Sequence, residues 1–403
     1  VVRLQHSRRA AGVGSGPIDD MFATLARRPE VVSFAVGAPD PALLPGELVA
    51  TLSQRVIDRY GSAVLQYGMT QGFAPLLDEA RNLLRDRHIR CTHDRLHIST
   101  GGSGALHNVC LAVLDPHDVV LVETPTYGPA VKEFRSRGAT VVAVPSDEFG
   151  IVPEALEEAL AGYDATFVYL LPTFQNPTGR TMPAGRRERI AEIAVRHGTL
   201  IVEDDVYTDL RYRGVAPPAL WSFAPDNSVY ITSLSKTLAP AIRVGITVMP
   251  PDLLKTVLAL KQGIDMQTST YCQAIAAEFL GSSAGAAHLA QVVEAYSAKL
   301  DALTAAAERH LPAGFRWTEP EGGMFLWVEG PAGFDADAAL TEALRQGVAF
   351  LPGSAFYADD VAGHRNAMRL SFANVARDDI DRGIALLGAV LREGPTHATT
   401  GTA

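Results

Sequence analysis

Through the middle of the chain, apolar residues come in short unbroken runs: Val119-Val-Leu-Val122, Thr140-Val-Val-Ala-Val144, Thr166-Phe-Val-Tyr-Leu-Leu171, Thr199-Leu-Ile-Val202, Val229-Tyr-Ile-Thr232 and Val244-Gly-Ile-Thr-Val248. Runs this short, without polar alternation, predict strands buried on both faces. Between them lie stretches with helical spacing. Pro153-Glu-Ala-Leu-Glu-Glu-Ala-Leu160 carries proline where a first helical turn accepts it, and the stretch from Ala184 to His197 is closed by Gly198. The alternation predicts an α/β fold with a mainly parallel central sheet covered by helices, and ligands collect at the carboxyl ends of such strands. After about Ser282 the pattern changes to a long Ala-rich helix through His310, then strands around Phe315-Arg-Trp317 and Met324-Phe-Leu-Trp-Val328, the marks of a smaller α+β domain. The division this predicts is an N-terminal arm and part of the small domain at 1–46, a large ligand-binding domain at 47–285 and a small C-terminal domain at 286–403. The first sixteen and last ten residues have little to bury, which predicts unanchored ends.

Polar residues with chemical potential cluster where the apolar runs stop. Ser233-Leu-Ser-Lys236-Thr-Leu-Ala-Pro-Ala-Ile-Arg243 joins two apolar strands and sets a lysine among two hydroxyls and an arginine. A lysine amine forms a Schiff base with an aldehyde, while Ser233, Ser235 and Arg243 suit a phosphate. A solvated loop lysine would show the same four letters, so the other strand ends decide. Ser99-Thr-Gly-Gly-Ser-Gly-Ala-Leu106 opens a helix, so the amides of Gly102, Ser103 and Gly104 can also point at a phosphate; alone, it is a tight corner. Thr124-Pro-Thr-Tyr127 brings a ring that either stacks on a flat heterocycle or packs. Phe174-Gln-Asn176-Pro-Thr-Gly179 offers Asn176 to a phenolic oxygen, or is simply a turn. Glu203-Asp204-Asp205-Val-Tyr207 ends a buried strand with three acids, a costly arrangement unless a cation meets them. A protonated ring nitrogen suits Asp204, and Tyr207 could reach the same ring's hydroxyl; Asp205 reads equally as the N-cap of a following helix. Together the five clusters supply a phosphate cradle, ring stack, hydroxyl ligands, ring-nitrogen carboxylate and Schiff-base lysine, the parts of a pyridoxal 5'-phosphate site.

Composition narrows the alternatives. With 403 residues, 47% of them hydrophobic, the chain can bury an enzyme-sized core. A formal net charge of -10 argues against nucleic acid as a partner. The three cysteines, Cys91, Cys110 and Cys272, are far apart, which predicts neither a disulfide framework nor a zinc site and fits a reduced cytoplasmic setting. No apolar run reaches spanning length and no apolar leader core follows the first arginines, so a soluble protein without a membrane partner is expected.

On these motifs the chain resembles the fold-type-I aminotransferases, and within them the class I branch that holds the 2-aminoadipate and kynurenine aminotransferases and the aminotransferase-like part of MocR-type regulators. The resemblance runs from about Pro17 to about Leu391. It implies that Lys236 carries the cofactor and then moves a proton, that Asp204 keeps the ring nitrogen protonated, and that Tyr207 and Asn176 bond the phenolate oxygen. Tyr127 would stack on the ring, with Ser233, Ser235, Arg243, Gly102 and Ser103 on the phosphate. Tyr67, in Gln66-Tyr-Gly-Met-Thr-Gln-Gly72, matches the tyrosine that reaches the neighbouring subunit's phosphate, which implies a homodimer with shared sites. Arg369, in Met368-Arg-Leu-Ser-Phe-Ala373, matches the arginine that clamps the substrate α-carboxylate, helped by Asn176 and the Gly37 amide. Phe325 and Tyr271 are candidates for the pocket wall.

Two departures stand out against that resemblance. Where the branch carries an arginine that contacts the substrate side chain, Gly16-Pro-Ile-Asp-Asp-Met21 has Asp19. Aspartate there favours a cationic side chain, such as that of arginine, ornithine, lysine or a cyclised guanidino derivative of the enduracididine type in antibiotic biosynthesis. Alternatively Asp19 caps a helix running to about Arg28. The phosphate loop reads Gly-Ser-Gly where near relatives often have Ser-Gln-Gln, which shifts its donors toward backbone amides. The rival readings are a 2-aminoadipate or aromatic aminotransferase, a pyridoxal phosphate enzyme that cyclises or oxidises an arginine derivative, and a DNA-binding regulator, for which sixteen residues ahead of Pro17 are too few.

Overall fold

The computed structural model describes residues 16–359 and 364–393. A short strand, β1 (Val32–Ser33), precedes the large sheet, which is built from β2 (Leu96–Thr100), β3 (Val119–Thr124), β4 (Thr140–Asp147), β5 (Gly150–Ile151), β6 (Ala165–Leu170), β7 (Leu200–Asp204), β8 (Ser228–Ser233) and β9 (Val244–Val248). Its spatial order is β2-β9-β8-β7-β6-β3-β4-β5. Strands β8, β7, β6, β3 and β4 run parallel, whereas β9 is antiparallel to both β8 and β2, and β5 is antiparallel to β4.

The apolar runs are explained by what covers each face. On β6, Phe167 and Tyr169 join one core with Val109 of the helix Gly101–Val113, Phe134 of the helix Gly128–Ser136 and Val257 of the helix Pro251–Gln262. Val168 and Leu170 point the other way, into a core with Leu156 of the helix Pro153–Gly162 and Ile190 of the helix Ala184–His197. Alternate residues are therefore apolar for two different partners. The expectation that every such strand is buried on both faces fails at β4. Thr140 and Pro145 are exposed and Val141–Ala143 only half-buried, because β4 borders the two-residue edge strand β5.

A second sheet of order β10-β11-β14-β13 contains β10 (Arg316–Trp317), β11 (Phe325–Glu329), β13 (Leu351–Pro352) and β14 (Ala367–Ser371), all antiparallel. The strand β12 (Val348–Ala349) pairs instead with β1, in parallel. The core here joins Tyr296 and Leu300 of the long helix Ser283–His310, Phe325, Leu370, and Ile380 and Ile384 of the helix Arg377–Glu393. The first described helix, Pro17–Leu25, ends short of Arg28 and is anchored by Met21 against Trp327, Leu351 and Phe356. Among the described residues no helix is long and apolar enough to cross a membrane, and no group of three or more His, Cys, Asp or Glu could hold a metal ion.

Candidate active site

Strand direction brings the polar clusters to one edge. The carboxyl ends of β3, β6, β7 and β8 coincide because these strands are parallel, and β2 shares their direction because both it and β8 oppose β9. The reversal at β9 returns Arg243, just ahead of Val244, to the same edge.

In the loop between β8 and β9, the half-buried Lys236 donates from Nζ to the Gly37 carbonyl at 3.1 Å and lies 6.0 Å from the centroid of the Tyr207 ring. Burial, with Arg369 and Arg243 nearby, depresses its ammonium to a pKa of about 8, which brings the neutral, nucleophilic amine within physiological reach. Asp204 ends β7. Its Oδ2 accepts from the Tyr169 hydroxyl at 2.6 Å, whereas Oδ1 is shut from solvent and has no partner in the structure. Burial and the neighbouring Asp205 push the Asp204 carboxyl up to about 6, against the opposing pull of Tyr169 and Lys236.

Tyr207 is buried and meets the Phe325 ring edge-on at 5.5 Å; its phenol is pushed up chiefly by burial, against a smaller opposing influence from the nearby Asn176 side chain. Arg369, on β14, is buried too. Its Nη1 donates to Asn176 Oδ1 at 2.9 Å and its Nη2 to the Ala35 carbonyl at 2.7 Å, while the guanidinium lies 4.2 Å from the Phe325 ring centroid and 4.9 Å from that of Phe356. Nε of Arg369 is buried and unpartnered. Burial lowers its pKa to about 10, so it stays cationic at neutral pH.

Across the edge, the helix Gly101–Val113 starts directly from β2, with Gly102 half-buried and the Ser103 side chain exposed at its first turn. Gly101 has φ +75°, and a Cβ there would stand 2.5 Å from Arg243 Nη2, so glycine is what lets the guanidinium lie against the strand end. Arg243 itself holds a left-handed φ of 54° and donates to the Thr100 carbonyl at 3.3 Å. Ser233 and Ser235 are buried beside it, with the Ser235 amide directed at Ser233 Oγ at 3.4 Å. Tyr127 is half-buried against the core under the helix Gly101–Val113.

Several expectations are corrected. Asp205 caps no helix, because a bend and a turn follow β7; it accepts instead from Tyr230 Oη at 2.7 Å. The acidic triplet is not met by one cation. Glu203 faces away, accepting from the Leu220 and Trp221 amides at 2.9 and 2.7 Å with Arg187 at 3.8 Å, and burial raises its pKa to about 7. Asp205 is served by Tyr230, which itself receives a hydrogen bond from buried Arg87. Asp19 is the third residue of its helix and so does not precede it as a cap; its side chain lies outside the described residues. Tyr67 is 75% exposed on the single chain.

The site fits pyridoxal phosphate on observations of its own: a buried carboxylate oxygen without a partner, a glycine corner kept open against an arginine, and a lysine with a depressed pKa. The sequence profile of the family described as aminotransferase class I and II matches residues 29–387. The chain belongs to that family. It is 34% identical to aromatic-amino-acid aminotransferase 1 of Thermococcus litoralis over 96% of this chain and 94% of that protein. To 2-aminoadipate transaminase of Thermus thermophilus the identity is 35%, over 95% and 96%. The crystal structure of the α-aminoadipate aminotransferase from Thermus thermophilus, complexed with N-(5'-phosphopyridoxyl)-L-leucine, superposes with a TM-score of 0.88 at 34% identity, covering 96% of this chain and 97% of that one. This aminotransferase is thus a fold-type-I, pyridoxal phosphate-dependent enzyme that uses amino and keto acids.

Sequence reasoning missed the supporting groups. Tyr169 is the one phenol in the buried strand Ala165–Leu170, and a buried phenol needs a hydrogen-bond partner, which was the available signal. Arg87, and the Lys299 that bonds Asp40 at 2.6 Å and the Ala373 carbonyl at 2.8 Å, carry no local motif at all.

Proposed function

We propose that this aminotransferase works on an α-amino acid whose distal group is cationic, arginine-like or guanidino, and on the matching 2-keto acid. The observation that supports this is the lodging of the helix Pro17–Leu25: Met21 packs in one cluster with Phe356, on whose ring the Arg369 guanidinium rests. The segment bearing Asp19 is therefore anchored next to the proposed α-carboxylate clamp, with negative rather than positive charge on it. A second reading, 2-aminoadipate or an aromatic amino acid, is favoured by the names of the relatives at 34–35% identity.

In this reading Lys236 takes the cofactor and transfers the proton, Asp204 holds the ring nitrogen, Tyr207 and Asn176 serve the ring hydroxyl, and Tyr127 stacks. Gly102, Ser103, Ser233, Ser235 and Arg243 hold the phosphate, and Arg369 with Asn176 and Gly37 receives the carboxylate. The cofactor, when bound, supplies the electron sink for loss of the Cα proton. Tyr67 completes the site of a second copy, which suits its exposure beside Leu65 and Met69, also exposed; a fully active monomer in sedimentation would remove it from the site. The large domain is 47–285, the small one 286–403 with 1–46. Three free cysteines suit a reduced cytoplasm.

The test is an absorbance titration of the holoenzyme with arginine-like donors, 2-aminoadipate and kynurenine, for the native chain and for Asp19→Arg. Preference for basic donors, reversed toward 2-aminoadipate in the variant, is expected. A native preference for 2-aminoadipate or kynurenine overturns the cationic reading and leaves the second.

A further inference from the structure

Tyr169 and Asp204 stand on neighbouring parallel strands with a defined register. Tyr169 pairs with Val202 and Leu170 with Glu203, so Asp204, two residues beyond Val202, projects from the same face of the sheet as Tyr169, and Glu203 from the other. The Tyr169 side chain thus lies diagonal to the carboxylate, near enough for its hydroxyl to donate to Oδ2 at 2.6 Å. The ring cannot swing away. It is fully buried and meets Phe134 edge-on, centroids 5.3 Å apart. Its hydroxyl has a single hydrogen to give, and burial and the carboxylate hold the phenol protonated well above its ordinary range.

The carboxylate is left with two unequal oxygens. One accepts a charge-assisted hydrogen bond; the other is buried and unpartnered. The charge of Asp205, the next residue, disfavours ionisation of the Asp204 carboxyl, and that of Lys236 favours it.

We propose that Tyr169 is a positioning residue that assigns the two oxygens of Asp204, tying down Oδ2 so that Oδ1 is the single acceptor presented to the ring nitrogen of the cofactor. This rests on the reading that Asp204 faces that nitrogen. The hydroxyl keeps the carboxylate ionised and keeps it from rotating, and both effects reach the cofactor only through the N–H···Oδ1 contact. A ring without the nitrogen has nothing to gain from them.

The experiment measures affinity rather than turnover. Apoenzyme is titrated with pyridoxal phosphate and with its carbocyclic analogue, which has C–H in place of the ring nitrogen, for the native chain, Tyr169→Phe and Asp204→Asn. The native protein is expected to prefer the nitrogen-bearing cofactor. Tyr169→Phe is expected to lose roughly tenfold or more in affinity for it, the scale of one hydrogen bond to a charged group, and less than about twofold for the analogue. Equal losses for both cofactors would make Tyr169 a packing residue, and no loss for either would make it a bystander; each overturns the proposal. A different result, no discrimination by the native protein and none lost in Asp204→Asn, overturns the reading of Asp204 itself. Should Tyr169→Phe not yield folded apoenzyme, Tyr169→His, which keeps a ring N–H on the strand, takes its place with the expectation reversed: affinity for the nitrogen-bearing cofactor is retained within about threefold, and a loss of tenfold or more for both cofactors overturns the proposal.

Discussion

Arg87→Met is the substitution whose consequence can be worked furthest. Arg87 follows the helix Ala74–Arg85, is buried, and donates from Nη1 to Tyr230 Oη at 2.7 Å and Thr232 Oγ1 at 2.9 Å and from Nη2 to Asp209 Oδ2 at 2.6 Å. Tyr230 passes the interaction on to Asp205. Methionine fills much of the volume but leaves the Asp205 and Asp209 carboxylates without their cation, a cost of roughly 3–5 kcal/mol for breaking a buried pair from one side. Unfolding entropy of about 2.1 cal/mol/K per residue makes roughly 0.85 kcal/mol/K for a chain of 403 residues, so each kcal/mol moves Tm by about 1.2 °C. The expected fall is therefore about 4–6 °C, read by scanning calorimetry of the apoenzyme.

The sign of its pH dependence follows from Asp205. Burial already raises that carboxyl above its ordinary value, and Arg87 is the largest influence holding it down. Without Arg87 the folded pKa rises further. A raised folded pKa means the native state holds the proton more tightly, so the variant's deficit against the native chain is full above the variant's folded pKa and shrinks as pH falls toward the native chain's own, less raised, folded value. A Tm change under about 1 °C, or one of equal size at pH 5 and pH 8, would refute the reasoning.

Two further outcomes are expected. The rate at which apoenzyme captures pyridoxal phosphate through Lys236 should rise with pH about a midpoint near 8, because the neutral amine attacks and its pKa is depressed to about 8; stopped-flow mixing across pH 6–10 checks this, and a midpoint near the ordinary lysine value contradicts it. Gly101→Ala should weaken cofactor binding by about tenfold or more, since the new Cβ would displace the Arg243 guanidinium and φ +75° disfavours any side chain; equilibrium dialysis reads the loss, and unchanged affinity would separate Arg243 from the phosphate.

The apolar runs of the inner strands were readable because they serve a core on either side of the sheet, which the border strand β4 does not, and the helices Ala184–His197 and Ser283–His310 fall where the closing glycine and the Ala-rich pattern put them. Direction was less readable. Nothing in Val244–Val248 tells that it runs against its neighbour Ser228–Ser233, since orientation is set by how the connecting loop folds back. The polar strand ends were visible as clusters, yet their individual partners were not: Glu203, Asp204 and Asp205 alternate between faces and so meet three different environments, which only the register reveals. Arg87 finds Asp209, and through Tyr230 also Asp205, from more than a hundred residues away, and no local spacing encodes such a meeting.

The antiparallel return of β9 has a mechanical consequence. The loop that carries Lys236 leaves the sheet at Ser233 and re-enters at Val244, one strand spacing away, where Ser233 faces Gly245 across the ladder. Both its roots are riveted to the same stiff floor. Lys236 and Arg243 therefore ride on a single closed bracket, so the amine and the guanidinium proposed to moor the cofactor would shift together with the hydrogen-bonded ends of two adjacent strands rather than independently.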